Sequence, residues 1–85
     1  MIAEVKVYTT NSCAYCVRAK ALLHKRNVPF EEVDVTGDPV TRAWLVKETK
    51  MRTVPQIFVD GKPIGGSDEL HALDRSGELD KLLHR

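Results

Sequence analysis

Apolar and polar residues alternate from Ile2 to Tyr8. Ile2, Val5, Val7 and Tyr8 interleave with Glu4 and Lys6, a pattern that predicts a first strand. A polar turn, T-T-N-S, follows. From Ala14 to about Asn27 the period lengthens. Cys16, Ala19 and Leu23 share one stripe with Leu22 beside it, which predicts a helix. Ser12 or Asn11 is the expected cap, and Asn27 with Pro29 ends the helix. P-F-E-E-V-D-V (Pro29–Val35) reads as a second strand. In T-G-D-P, Asp38 is the expected cap of a second helix, with Pro39 at its first position and its end near Lys50. The run Ala43-Trp44-Leu45-Val46 is apolar almost all round and does not reveal which face is buried, although Trp44 reads as a partly buried packing residue.

Q-I-F-V-D-G-K-P-I-G-G contains two short apolar runs around Asp60-Gly61, a strong signal for a two-residue hairpin. The last stretch is helical, with Ser67 as the expected cap, Asp68 and Glu69 in its first turn, and a break at Ser76-Gly77. The order is β-α-β-α-β-β-α-α. A helical crossover makes the first two strands parallel, and the hairpin makes the last two antiparallel. The expectation is an α/β fold, a four-stranded mixed sheet flanked by helices.

Bulk properties narrow the function classes. The 85 residues suit one small domain with little core to spare. Thirteen Lys and Arg against twelve Asp and Glu leave a net charge of +1, which gives nucleic acid no basic field to read. The opening M-I-A-E-V-K-V-Y-T-T has no signal-peptide pattern, and no run approaches membrane-spanning length, so a cytoplasmic protein with no membrane partner is expected.

Both cysteines, Cys13 and Cys16, lie in one C-A-Y-C stretch. Zinc would need four ligands, and His24, His71 and His84 show no ligand spacing. A structural disulfide is disfavoured by a reducing compartment, and it would close only one helical turn. Redox chemistry fits better. Cys13 falls beside a predicted helix N-terminus, where unpaired N–H groups and the helix dipole stabilise a thiolate. Cys16, one turn further in, is placed to attack a mixed disulfide formed on Cys13. Cys13 is therefore expected as nucleophile and Cys16 as resolving thiol. Arg18 and Lys20 are expected either to favour the thiolate or to be solvated helix charges. His71 and His84 are expected as solvated helix positions.

C-A-Y-C, R-T-V-P-Q-I-F-V-D-G-K-P-I-G-G-S-D-E-L and L-H-A-L-D-R-S-G-E-L-D-K-L-L together resemble the glutaredoxins, in particular the small bacterial dithiol type. The resemblance runs over nearly the whole chain and implies one domain over residues 1–85 with the thioredoxin fold. It implies a cis Val54-Pro55 bond beside Cys13. It implies a glutathione-dependent thiol–disulfide oxidoreductase that reduces protein–glutathione mixed disulfides and protein disulfides, with ribonucleotide reductase and glutathionylated enzymes as family-level partners.

The implied glutathione site is residue-specific. Val54 would pair with the peptide backbone of glutathione like an added strand. The N–H groups of Ser67 and Asp68 would hold the γ-glutamyl carboxylate, and the Asp68 carboxylate the γ-glutamyl amino group. Gly65 and Gly66 would allow close approach. Tyr15 would flank the ligand, Thr53 and Pro55 belong to the site through the T-V-P motif, and Arg52 and Arg42 would hold the glycyl carboxylate. Taken without the family, Ser67-Asp68 is a helix cap, Gly65-Gly66 a turn and Arg52 a surface charge.

Two positions depart from the pattern. Ala14 stands where dithiol members usually carry Pro. Some members lacking that proline assemble a dimer around a [2Fe-2S] cluster held by the first cysteine and glutathione. The expected state is otherwise a monomer. Thr10 stands where members commonly carry a Lys that contributes to the glycyl-carboxylate site. Alternatives to the leading reading are thus a cluster-binding dimer using Cys13, or an electron donor coupled to thioredoxin reductase. The G-G-S-D stretch and Arg52 argue against the latter.

Overall fold

The computed structural model describes residues 3–84. The alternation at the start of the chain becomes strand β1 (Val5–Thr9), in which only Lys6 is not fully buried. The strand is shorter than expected. Ile2 lies outside the described residues, and Ala3 and Glu4 precede the paired segment. Helix α1 (Ala14–Lys25) buries Cys16, Ala19, Leu22 and Leu23, the predicted stripe. It ends two residues earlier than predicted, because Asn27 turns left-handed (φ 57°). The N–H groups of Asn27 and Val28 then donate back to His24 O and Leu23 O, closing the last turn.

Strand β2 (Glu31–Asp34) is trimmed at both ends relative to Pro29–Val35. Pro29 has no N–H for the ladder, although Val35 N still donates to Thr9 O at 2.8 Å. Asp38 caps α2 (Pro39–Thr49) through a bond from Thr41 N at 3.1 Å, with Pro39 in the first turn as predicted. The hairpin of β3 (Gln56–Val59) and β4 (Lys62–Gly65) turns on Asp60 and Gly61, both at positive φ. Helices α3 (Ser67–Ser76) and α4 (Glu78–Leu83) meet at Gly77, the predicted break.

The sheet order is β2-β1-β3-β4, with β1 parallel to β2 and antiparallel to β3, and β3 antiparallel to β4. This is the mixed four-stranded sheet expected. Helices α1, α3 and α4 cover one face over Val7, Leu23, Ile57, Leu70, Leu79 and Leu83. Helix α2 covers part of the other, where Leu45 packs with Tyr8, Val35 and Phe58. The face left open by the apolar run is thereby decided. Leu45 points in, while Trp44 is 41% exposed, stacks at the edge on Phe58 and lies tilted against Tyr8. Among the described residues, no helix is long and apolar enough to cross a membrane.

Arg26, at the end of α1, grips Asp74 of α3 with two bonds, Nε to Oδ1 at 2.9 Å and Nη2 to Oδ2 at 3.0 Å. That hydrogen bonding holds the Asp74 carboxyl below its ordinary 3.8. A depressed folded-state pKa gives stability that is present above the unfolded value and lost as pH falls through the folded one. Asp74→Asn is therefore expected to lower the urea midpoint at neutral pH. Its gap to wild type should close as the pH is taken below 3.8, and a gap that persists in acid would count against this pairing.

Candidate active site

Four segments converge where β1 ends: the T-T-N-S turn, the first turn of α1, the loop into β3 and the start of α3. Neither Ser12 nor Asn11 caps α1. Ser12 is left-handed (φ 54°), and Asn11 uses its N–H to bond Thr36 Oγ1 at 2.7 Å. The cap is Cys13 itself, whose sulfur accepts the Cys16 N–H at 3.1 Å. The sulfur expected as nucleophile thus takes the place of a capping side chain, at the positive end of the helix. Cys13 is half-buried and Cys16 is 2% exposed. Their sulfurs are joined as a disulfide with Cα atoms 5.2 Å apart. Closing so short a loop restricts little of the unfolded chain, which suits a reversible bond better than a staple.

Across from the pair, Val54-Pro55 is cis, as the resemblance implied. The Cys13 sulfur lies 3.7 Å from Val54 O. On the α3 side of this point is a groove of about 270 Å³. One wall is Thr53, Val54, Pro55 and Met51; Gly66, Ser67, Asp68 and Glu69 form the other, and Tyr15 overhangs the end. Seven of the eleven predicted site residues meet here. Arg42 and Arg52 stand just beyond, in a small cleft that shares Met51, Thr53 and Val54 with the groove. Arg42 Nη2 donates to the Arg52 backbone carbonyl at 3.4 Å, which ties the end of the Arg42 side chain to the loop that carries Arg52.

Ser67 is not the cap of α3. Gly66 is, and the Glu69 carboxylate reaches back to accept the Gly66 N–H at 2.6 Å, the acidic half of a capping box. Ser67 becomes the first helical residue, 4% exposed, in the groove wall. The glycine pair is needed for the chain's own sake. A Cβ on Gly65 would sit 2.7 Å from Glu69 Cβ, and one on Gly66 would sit 3.2 Å from Pro55 O.

Cys13 and Cys16 also face a second cavity, of about 520 Å³, toward β2, where Thr10, Lys20, Glu32 and Asp34 contribute. Lys20 does not serve the sulfur directly. Its Nζ bonds Glu32 Oε2 at 2.9 Å, and Thr9 Oγ1 donates to the same oxygen at 2.7 Å. The Thr9 bond and then the Lys20 bond hold the Glu32 carboxyl below its ordinary value. Arg18 lies over the Tyr15 ring, 5.8 Å from its centroid. His71 is half-buried, its Nδ1 bonded to Ser67 O at 2.8 Å, not simply solvated as expected. His84 pairs with Asp80. Among the described residues, no group of three His, Cys, Asp or Glu side chains is gathered to hold a metal.

Sequence reasoning missed Met51, Glu69 and Gln56. Glu69 had a signal, since an acidic residue three places after a cap is a capping-box spacing. Gln56 had a fainter one, as the single polar residue of the strand Q-I-F-V. It is fully buried, and among the described residues nothing donates to its Oε1. Such an orphan acceptor costs about 1–3 kcal/mol.

The glutaredoxin family model matches residues 5–64. Glutaredoxin 3 of Escherichia coli strain K12 is 48% identical over 82 residues, which cover 96% of this chain and 99% of that protein. A glutaredoxin of Pseudomonas aeruginosa is 48% identical over 79 residues, covering 93% of this chain and 94% of that one. Among solved structures, the buckwheat glutaredoxin–glutathione complex superposes with a TM-score of 0.89 at 29% identity, over 95% of this chain and 76% of that one. The solution structure of glutaredoxin from Brucella melitensis gives 0.87 at 41% identity, over 96% and 89%.

Proposed function

Because the chain belongs to the glutaredoxin family of thiol–disulfide oxidoreductases, we propose that it works with glutathione, reducing protein–glutathione mixed disulfides and protein disulfides with Cys13 as nucleophile. The observation that carries this reading is the place of the Cys13 sulfur. It caps α1, stands 3.7 Å from Val54 O, and adjoins a groove with a helix N-terminus in its far wall. A tripeptide bearing a carboxylate at each end suits that groove. Backbone at Val54 meets its backbone, and the first N–H groups of α3 meet one carboxylate. The adjoining Arg42 and Arg52 meet the other. The buckwheat protein, similar in fold over nearly all of this chain, is a glutathione complex.

In the first half-reaction the Cys13 thiolate attacks the glutathionyl sulfur. A Cys13–glutathione disulfide forms, and the protein thiolate leaves and takes a proton. A second glutathione thiolate attacks that disulfide, freeing Cys13 and yielding oxidised glutathione. With a protein disulfide, Cys13 forms a mixed disulfide and Cys16 displaces the substrate thiol, leaving Cys13–Cys16 oxidised. Two glutathiones then reopen the pair. The asymmetry needed is supported by the exposure difference and by the Cys16 N–H, which favours negative charge on Cys13. A [2Fe-2S] dimer would draw only Cys13 from each chain, and no observation favours it. A donor coupled to thioredoxin reductase would have no use for the groove.

The test is steady-state reduction of a glutathionylated protein with glutathione, glutathione reductase and NADPH. Turnover saturable in glutathione is expected. Reduction by thioredoxin reductase alone would replace this reading. Thr10 contributes no charge beside Cys13. Thr10→Lys is therefore expected to lower the apparent KM for glutathione about twofold to fivefold, the worth of one partly exposed ion pair. An unchanged KM would mean that Arg42 and Arg52 already saturate the carboxylate.

A further inference from the structure

Gln56 is a polar side chain where a polar side chain has no structural reason to be. It follows Pro55, opens β3 and pairs with Tyr8 of β1. By strand alternation it lies on the same side as Phe58, beneath α2, among apolar neighbours. Leucine or methionine would fill the position without the orphan Oε1, but would also take away the donor to Thr53 O. What the amide does is hold one peptide. Its Nε2 donates to Thr53 O at 2.9 Å and reaches Thr53 Oγ1 at 3.4 Å. Flipping the amide would set two acceptors against each other, so the Thr53 carbonyl fixes its orientation and leaves Oε1 without a donor.

The direction of that bond matters for the groove. The Thr53–Val54 peptide is trans, so its carbonyl and its N–H point opposite ways. With Thr53 O held by Gln56, the Val54 N–H is directed away from the Gln56 amide, at the residue whose carbonyl lies beside the Cys13 sulfur. We propose that Gln56 is a positioning residue for the thiol substrate. It touches no ligand, but by holding Thr53 O it presents the Val54 N–H to the backbone of glutathione. The inference rests on the reading of the groove as a glutathione site, and it explains why a destabilising buried amide occupies the start of β3.

Gln56→Leu removes the orphan acceptor and also frees Thr53 O, the carbonyl of an exposed residue that water can then reach. Its urea midpoint is expected to match or exceed that of wild type, and iodoacetamide alkylation of reduced Cys13 should proceed at the wild-type rate. The apparent KM for glutathione should rise about fivefold, the loss of one well-aligned hydrogen bond. Gln56→Met, a flexible filler of similar length, should do the same and guards against a packing failure peculiar to leucine. A merely structural role would move stability and KM together, and that result would overturn the proposal. So would an unchanged KM in a folded variant beside an active wild type. If wild type itself showed no glutathione-dependent turnover, the underlying reading would fall instead.

Discussion

Cys13→Ser is expected to lose at least about a thousandfold in turnover of a glutathionylated protein, as removal of a catalytic nucleophile does in other enzymes. The attack needs an ionised sulfur, and a serine hydroxyl, which stays protonated, cannot stand in for it. Cys16→Ser is expected to keep most of that turnover, because in the proposed cycle glutathione completes the reaction without a resolving thiol. The same variant should fail with substrates that must be released from a protein–protein mixed disulfide. NADPH oxidation in the coupled assay reads the first effect, and trapping of a covalent adduct on a gel reads the second. The reverse pattern, with Cys16 indispensable and Cys13 not, would invert the roles drawn from the capping bond and the burial of Cys16.

Gly65→Ala should be among the most destabilising single changes in the chain. Gly65 sits at φ 117°, where an L side chain is strained, and its Cβ would lie 2.7 Å from both Cβ and Cγ of Glu69. Glu69 Cβ is fixed to the helix backbone and cannot swing aside as a flexible tip would. Either the turn shifts, or α3 moves and the bond from Gly66 N–H to the Glu69 carboxylate is lost. Backbone strain and overpacking together suggest a loss of about 2–4 kcal/mol. In a domain of this size that is a fall in Tm of roughly 10–25 °C. Gly61→Ala is the reference, since Gly61 also has positive φ (80°) but nothing within 4 Å of its would-be Cβ. Equal losses at the two positions would show that the contact with Glu69 contributes nothing. Because Gly66 and Glu69 both line the groove, Gly65→Ala should also raise the KM for glutathione in the protein that remains folded.

Features set by a few neighbouring residues were legible in the sequence. The Asp60-Gly61 turn, the Asp38 cap with Pro39 behind it, and the break at Gly77 each depend on local backbone preference, and each formed as read. The α1 stripe was legible because four side chains repeat at helical spacing. The buried side of α2 was not, since Ala43 to Val46 are uniformly apolar and only the rings of Tyr8 and Phe58, from strands elsewhere in the chain, decide how Trp44 and Leu45 divide. The caps of α1 and α3 were each misplaced by one or two residues for a related reason. A left-handed Ser12 and an αL-side Gly65 move the point at which the chain enters each helix, and neither φ can be read from residue type. Seven of the predicted site residues share the groove wall because motif spacing carried them there. Gln56 escaped notice because its partner, Thr53, matters only once the direction of a single carbonyl is known.

A helix whose first turn is tied to one sulfur of the Cys13–Cys16 disulfide cannot be indifferent to what that sulfur becomes. As a thiolate, the Cys13 sulfur is a strong acceptor for the Cys16 N–H; as part of a disulfide it is a weak one. Oxidation therefore loosens the anchorage of α1, and reduction tightens it. By thermodynamic linkage, whatever energy the capping bond adds to the reduced form is subtracted from the protein's hold on its own oxidised bond. The secondary structure and the electron pair share one free-energy balance, and a substitution in the first turn of α1 draws the couple toward a better oxidant only to the extent that it stabilises the thiolate more than the disulfide.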